Sequence, residues 1–179
     1  MDDFLLPKFQ PSSHDDTFRF FHKRLHHEAR GRNLNPEQLN YGASVLGHFA
    51  QTSTATDSGM PSLKDLSSIY DKFISDTSVI SGPGVLEEAG AQTLILGGYF
   101  GDQMRRRYNV EWFCRIGASF FEGAGEDLRK NDPRKSQLLL SISTSYMEMA
   151  HTFRDLQRNF LDSHYQSLLL PMFRLDPPS

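Results

Sequence analysis

The sequence predicts an all-α single domain, a helical bundle or orthogonal array of about six helices with no sheet. Three observations predict it. Apolar residues recur three and four apart in one segment after another, which is the spacing of a helix face. No segment sustains the period-two alternation of β-branched residues that a half-buried strand needs. Capping signals, Asn35-Pro36 and Asp132-Pro133 above all, stand directly before the periodic runs.

Taken in order, residues 1–13 hold two prolines and no periodicity and read as an N-terminal arm. Residues 14–166 are expected to form the helical domain. Asp15 or Asp16 is expected to cap a first helix with Phe18, Phe21, Leu25 and Ala29 on one face, stopped by Gly31. Asn35 caps a second helix. Pro36 takes the first position, where its missing N–H costs nothing, and Gln38 reaches back as in a capping box. Its inward positions are Leu39, Ala43, Leu46 and Phe49/Ala50. A small-polar stretch, 52–61, reads as a flexible linker. Ser62 to Asp65 resembles a second capping box, with Leu63, Leu66, Ile69/Tyr70 and Phe73/Ile74 following at helical spacing.

The break at Ser81-Gly82-Pro83-Gly84 precedes a fourth helix expected from Val85 to Arg107. Asn109 is expected to cap a fifth, facing inward with Val110, Phe113, Gly117, Phe120, Ala124 and Leu128. Asp132-Pro133 opens the last and longest helix. Its seam, Leu139, Ile142, Tyr146, Met149, Phe153, Leu156 and Phe160, alternates steps of three and four over about six turns. Residues 167–179 read as an apolar C-terminal tail.

Composition narrows the function classes. A formal net charge of −3 leaves no global basic field for nucleic acid. Cys114 is the lone cysteine, so an internal disulfide is impossible, which fits a reducing, cytoplasmic setting. The N-terminal stretch is acidic where a secretory signal is basic, and no apolar run approaches the roughly 18 residues of a membrane span. No cofactor is implied.

Five features bear on chemistry. Glu148-x-x-His151 has the spacing of one half of a di-iron site. No second copy of the motif exists, and the seam places His151 on the side of the helix away from the core. His22 and His26, four apart beside His27 and Glu28, have the spacing of a helical metal clasp but lack a third ligand. Gly97, Gly98 and Gly101 sit within about one turn. They are expected to admit a neighbouring helix closely, or to mark a kink or helix end. Arg105-Arg106-Arg107-Tyr108 suits a helix C-terminus. It also belongs to a window, residues 101–135, holding eight basic and six acidic residues, for a local charge of +2. Cys114, beside Phe113, reads as an inert half-buried thiol.

The run from Glu88 to Phe100, continued through Asp102, Met104 and Arg105–Arg107 to Gly117 and Phe120, resembles a group of small bacterial helical proteins. In these a Leu-rich helix ends in a small-small-aromatic-Phe element, followed by a basic stretch and a second aromatic-and-glycine helix. The resemblance implies a bacterial, helical protein and carries no activity. Two readings lead from here. One is a non-enzymatic adaptor, a homodimer joined through the Gly-Gly-aromatic element or the tail. The other is a binding module for a small anionic or amphipathic ligand at the Gly97–Arg107 helix end. Tyr99, Phe100, Trp112 and Phe113 would line that site, and Arg106 or Arg107 would grip the acid. A metal-dependent enzyme and a nucleic-acid partner are disfavoured.

Overall fold

The computed structural model describes residues 14–54, 82–106 and 108–159. Among them every regular element is helical: α1 (His14–Glu28), α2 (Pro36–Thr54), α3 (Pro83–Leu94), a π-helical turn (Ile95–Tyr99), α4 (Gly101–Met104), α5 (Val110–Leu128), α6 (Pro133–Thr144) and α7 (Tyr146–Asn159). The third helix expected near residues 62–74, the arm, the tail, Phe160 and Arg107 lie outside the described residues.

Local chemistry sets most boundaries. The Asn35 side chain accepts from the Gln38 backbone N–H at 2.9 Å, and the Gln38 side chain accepts from the Asn35 N–H at 2.9 Å, so two orphan donors satisfy each other. The buried Gln38 amide then donates to the Ser141 carbonyl at 2.9 Å, fastening the start of α2 to α6. Asn109 accepts from Trp112 N–H at the start of α5, and Asp132 from Lys135 N–H at the start of α6. Gly31 turns the chain after α1 with φ of +80°, a conformation costly for any residue with a Cβ. Asp15 and Asp16 do not cap α1. The helix begins at His14, and the two carboxylates fall in its first turn, where they meet the positive end of the helix dipole. α2 continues to Thr54, into the stretch read as linker.

Two expected long helices are broken. The helix expected over 85–107 is α3, the π turn and α4 in succession. In the π turn the Phe100 N–H reaches back five residues to the Ile95 carbonyl at 3.0 Å. The last helix breaks at Ser145, whose φ and ψ are −100° and 15°. The run Ser141-Ile142-Ser143-Thr144-Ser145 explains this locally. Ser141 Oγ donates to the Leu138 carbonyl and Thr144 Oγ1 to the Leu140 carbonyl, competing with the backbone ladder. The inward side nonetheless runs on through the break. Leu139, Ile142, Tyr146, Met149, Phe153 and Leu156 are all buried.

Tertiary packing puts α5 between α3 and α6, pairs α1 with α2, and lays α7 against the π turn, α1 and α5. Leu25, Leu46, Leu94, Met104, Phe113, Phe121, Ile142 and Phe153 share one core. The glycines let the helices close on one another. A Cβ on Gly98 would lie 2.9 Å from Phe153 Cβ and 3.2 Å from the Ala150 backbone. One on Gly97 would lie 2.7 Å from Cys114 Sγ. α7 therefore approaches the π turn almost backbone to backbone. No described helix is long and apolar enough to cross a membrane.

Candidate functional site

The close approach of α7 to the π turn buries more of α7 than its seam. Ala150, Arg154 and Gln157, each one residue past a seam position, are buried as a second row. Arg154 is thereby carried into the interior and is only 5% exposed. Its Nη2 donates to the Gly97 carbonyl at 3.0 Å, which the π turn presents to it. Its Nε makes no hydrogen bond. Gly101 is the floor of this arrangement, since a Cβ there would meet Arg154 Nε and Nη2 at 2.8 Å.

The charges around Arg154 do not balance it. The nearest carboxylate, Asp102, stands 3.9 Å from Nε. Both Asp102 oxygens are already taken by Arg158, at 2.6 and 2.8 Å. That fork, with burial opposing it, holds the Asp102 carboxyl below its ordinary pKa. Other ion pairs nearby are closed as well. Arg32 bridges Glu148 and Asp155, and Arg115 holds Glu111 at 2.7 Å. Burial lowers the Arg154 pKa, and the neighbouring Arg105 lowers it further. Among the described residues Arg105 has no carboxylate within ion-pair distance.

These two arginines line one cleft of about 520 Å³. Its walls are the turn after α4 (Arg105, Tyr108), the first turn of α5 (Asn109, Val110, Glu111) and one flank of α7 (Met147, His151). The start of a long helix adds backbone N–H groups that no helical carbonyl can reach, together with the positive end of the helix dipole. His151 is neutral near pH 7. Burial depresses its pKa first, then the charges of Arg154 and Arg32, against the opposing pull of Glu148 and Asp155. The arrangement offers fixed positive charge and the unpaired Arg154 Nε beside an apolar wall. Among the described residues it contains no paired nucleophile and base.

The residues expected from sequence to line a ligand site, Tyr99, Phe100, Arg106, Trp112 and Phe113, are not among those that line this cleft. Phe100 and Phe113 are buried in the core, and Tyr99 stacks edge-on against Phe100. Trp112 is 42% exposed and Arg106 is exposed. Arg105, from the same basic run, lines the cleft. His151, expected on the outer side of its helix, is half-buried at the cleft. The seam marked too narrow a face, because the glycines opposite draw α7 in past it. Its Glu148 partner is engaged by Arg32 at 3.3 Å. Arg154 was not singled out. Its sequence signal is an arginine in a row of buried spacing, Ala150-Arg154-Gln157, facing three glycines fifty residues away.

Elsewhere, His22 and His26 bring their Nε2 atoms to 3.1 Å. Burial and the His22 ring lower the His26 pKa. Among the described residues no group of three or more histidines, cysteines and carboxylates is placed to hold a metal ion. Cys114 is fully buried, and burial pushes its thiol up to about 11, which keeps it protonated. A second cleft of about 610 Å³ lies between α2 and α3, with Tyr41, Val45, Phe49 and Ile95 among its lining residues. No protein-family model, curated protein or solved structure matches the chain.

Proposed function

We propose that the protein is a binding module for a small anionic ligand, held in the cleft between the turn after α4, the start of α5 and the flank of α7. One observation carries this reading: among the described residues Arg154 is buried with no hydrogen-bonded carboxylate, and a second cation without one, Arg105, lines the same cleft. Burying a guanidinium costs several kcal/mol unless charge and hydrogen bonds compensate it. The Gly97 carbonyl and a distant, shared Asp102 compensate it in part. An anion entering the cleft completes the compensation.

The direct test is thermal unfolding and calorimetric titration of the full chain with acetate, benzoate, phosphate and sulfate at low ionic strength. A ligand at about 100 times its Kd stabilises the fold by about 2.7 kcal/mol. The expected result is stabilisation by at least one anion, lost in Arg154→Met. No response to any anion at tens of millimolar would sink the reading.

A second reading is a cytoplasmic homodimeric adaptor of bacterial origin, for which Val85 and Trp112 would supply part of the contact surface. These are the large apolar side chains left exposed among the described residues, at 47% and 42%. Light scattering that gives a concentration-independent monomer would remove the dimer.

A further inference from the structure

Resting on the anion-binding reading, we propose that the ligand is a small monocarboxylate with an apolar body, its head between Arg105 and Arg154 and its body against Tyr108, Val110 and Met147. Three features narrow the class. The first is charge. The cleft holds two cations unmatched by hydrogen-bonded carboxylates, but Glu111 shares its wall and is tied outward to Arg115. A dianion would bring its second charge toward that carboxylate, whereas a monoanion can keep its one charge on the arginine side of the cleft. The second is shape. The planar fork of an arginine fits the two oxygens of a carboxylate in parallel. The third is the wall. Val110 is buried in the core cluster, with Tyr108 and Met147 packed against it, so the cleft offers an apolar side that a compact hydrated ion leaves unused. A volume near 520 Å³ lies in the range of sites for organic ligands and far exceeds the roughly 30 Å³ of one water.

His151 supplies an independent readout. It faces Arg154 on its own helix and Arg32 from the α1–α2 turn, with Glu148 and Asp155 opposing them, and Arg105 and Glu111 share the cleft. A bound carboxylate offsets the arginines and favours the charged imidazole, so binding takes up a proton and tightens as pH falls. Inorganic phosphate behaves in the opposite way, because it passes from dianion to monoanion as the pH falls through neutrality. A carboxylic acid with an ordinary pKa near 4.3 stays ionised throughout that window.

The experiment is calorimetric titration of the full chain with benzoate, hexanoate, benzamide and inorganic phosphate at about pH 8 and about pH 5.5. Benzoate and hexanoate are expected to bind at least about tenfold more tightly than benzamide, since loss of a charged hydrogen bond is worth that much, and more tightly than phosphate, which has no apolar body for the wall. Their binding is expected to tighten severalfold toward the acid end. His151→Gln flattens that dependence. Arg154→Met abolishes binding, and Arg105→Gln, an exposed change that leaves the fold alone, weakens it about tenfold or more. Phosphate binding as tightly as benzoate, in an arginine-dependent way, overturns the carboxylate class while the anion reading stands. No binding of any anion overturns both. Benzoate binding unchanged in Arg105→Gln and Arg154→Met overturns the site.

Discussion

Tyr146 and Arg154 are two polar side chains on the inward flank of the same helix, eight residues apart, and both are buried. Tyr146 is part of a closed chain. Its hydroxyl donates to Thr93 Oγ1 at 2.9 Å, and Thr93 donates to the Gly90 carbonyl at 2.8 Å. Gly117 completes the enclosure by leaving room for the phenol. Arg154 is open, with one hydrogen bond to Gly97, an unpaired Nε and a cleft alongside. A satisfied buried group specifies the core and offers nothing to a ligand. An unsatisfied one keeps a desolvation debt that a ligand can settle. The same helix thus carries a satisfied end and an unsatisfied end.

The largest effect that would break this contrast lies at the closed end. Gly117→Ala drives a Cβ into the Tyr146 hydroxyl and Thr93 Oγ1, both held in the buried hydrogen-bonded chain. A loss of about 3 kcal/mol or more is expected in denaturant unfolding. A loss under about 1 kcal/mol would mean that the Tyr146 chain is loosely packed.

The next effect compares the two ends directly. Tyr146→Phe is expected to cost about 1 kcal/mol, because Thr93 keeps its bond to Gly90. Arg154→Met removes a charge that is costly to bury and leaves the Gly97 carbonyl without its donor. Those terms oppose each other, so the stability change is expected to stay within about 2 kcal/mol while anion binding is lost. A collapse of the fold on that substitution, with no ligand effect in Arg105→Gln, would make Arg154 a structural residue like Tyr146.

The smallest effect concerns the carboxylate between the two ends. The Asp102 pKa is lowered in the folded chain, chiefly by Arg158. Its contribution to stability is therefore present above the unfolded pKa near 3.9 and is lost as pH falls through the folded value. Arg158 is half exposed, so the contribution is expected to stay below about 1 kcal/mol. Wild type and Arg158→Gln should differ in urea midpoint at pH 7 and converge near pH 2. A difference that persists in acid would assign the effect to packing.

Much of the fold was legible because its signals act within one turn. The Asn35–Gln38 capping box, the Asn109 and Asp132 caps and the buried seam of the last two helices each depend on residues three or four apart. The break at Ser145 was hidden by that same seam, whose spacing continues unchanged across it. The π turn was hidden because its register is settled by contacts of Gly97 and Gly98 with Cys114, Ala150 and Phe153, none of them local. The basic run after α4 pointed to the neighbourhood of the cleft, but it could not show that Arg105 would line it with Arg154 and His151.

By itself, the sequence determined the all-α class, where most helices start and which side of the last segment faces inward, since hydrogen-bond capping and apolar periodicity are properties of neighbours along the chain. Only the tertiary structure decided which arginine loses its water. Desolvation depends on what packs across from a side chain. For Arg154 that is a glycine-lined π turn more than fifty residues away, close enough to bury the guanidinium and too sparing of partners to satisfy it.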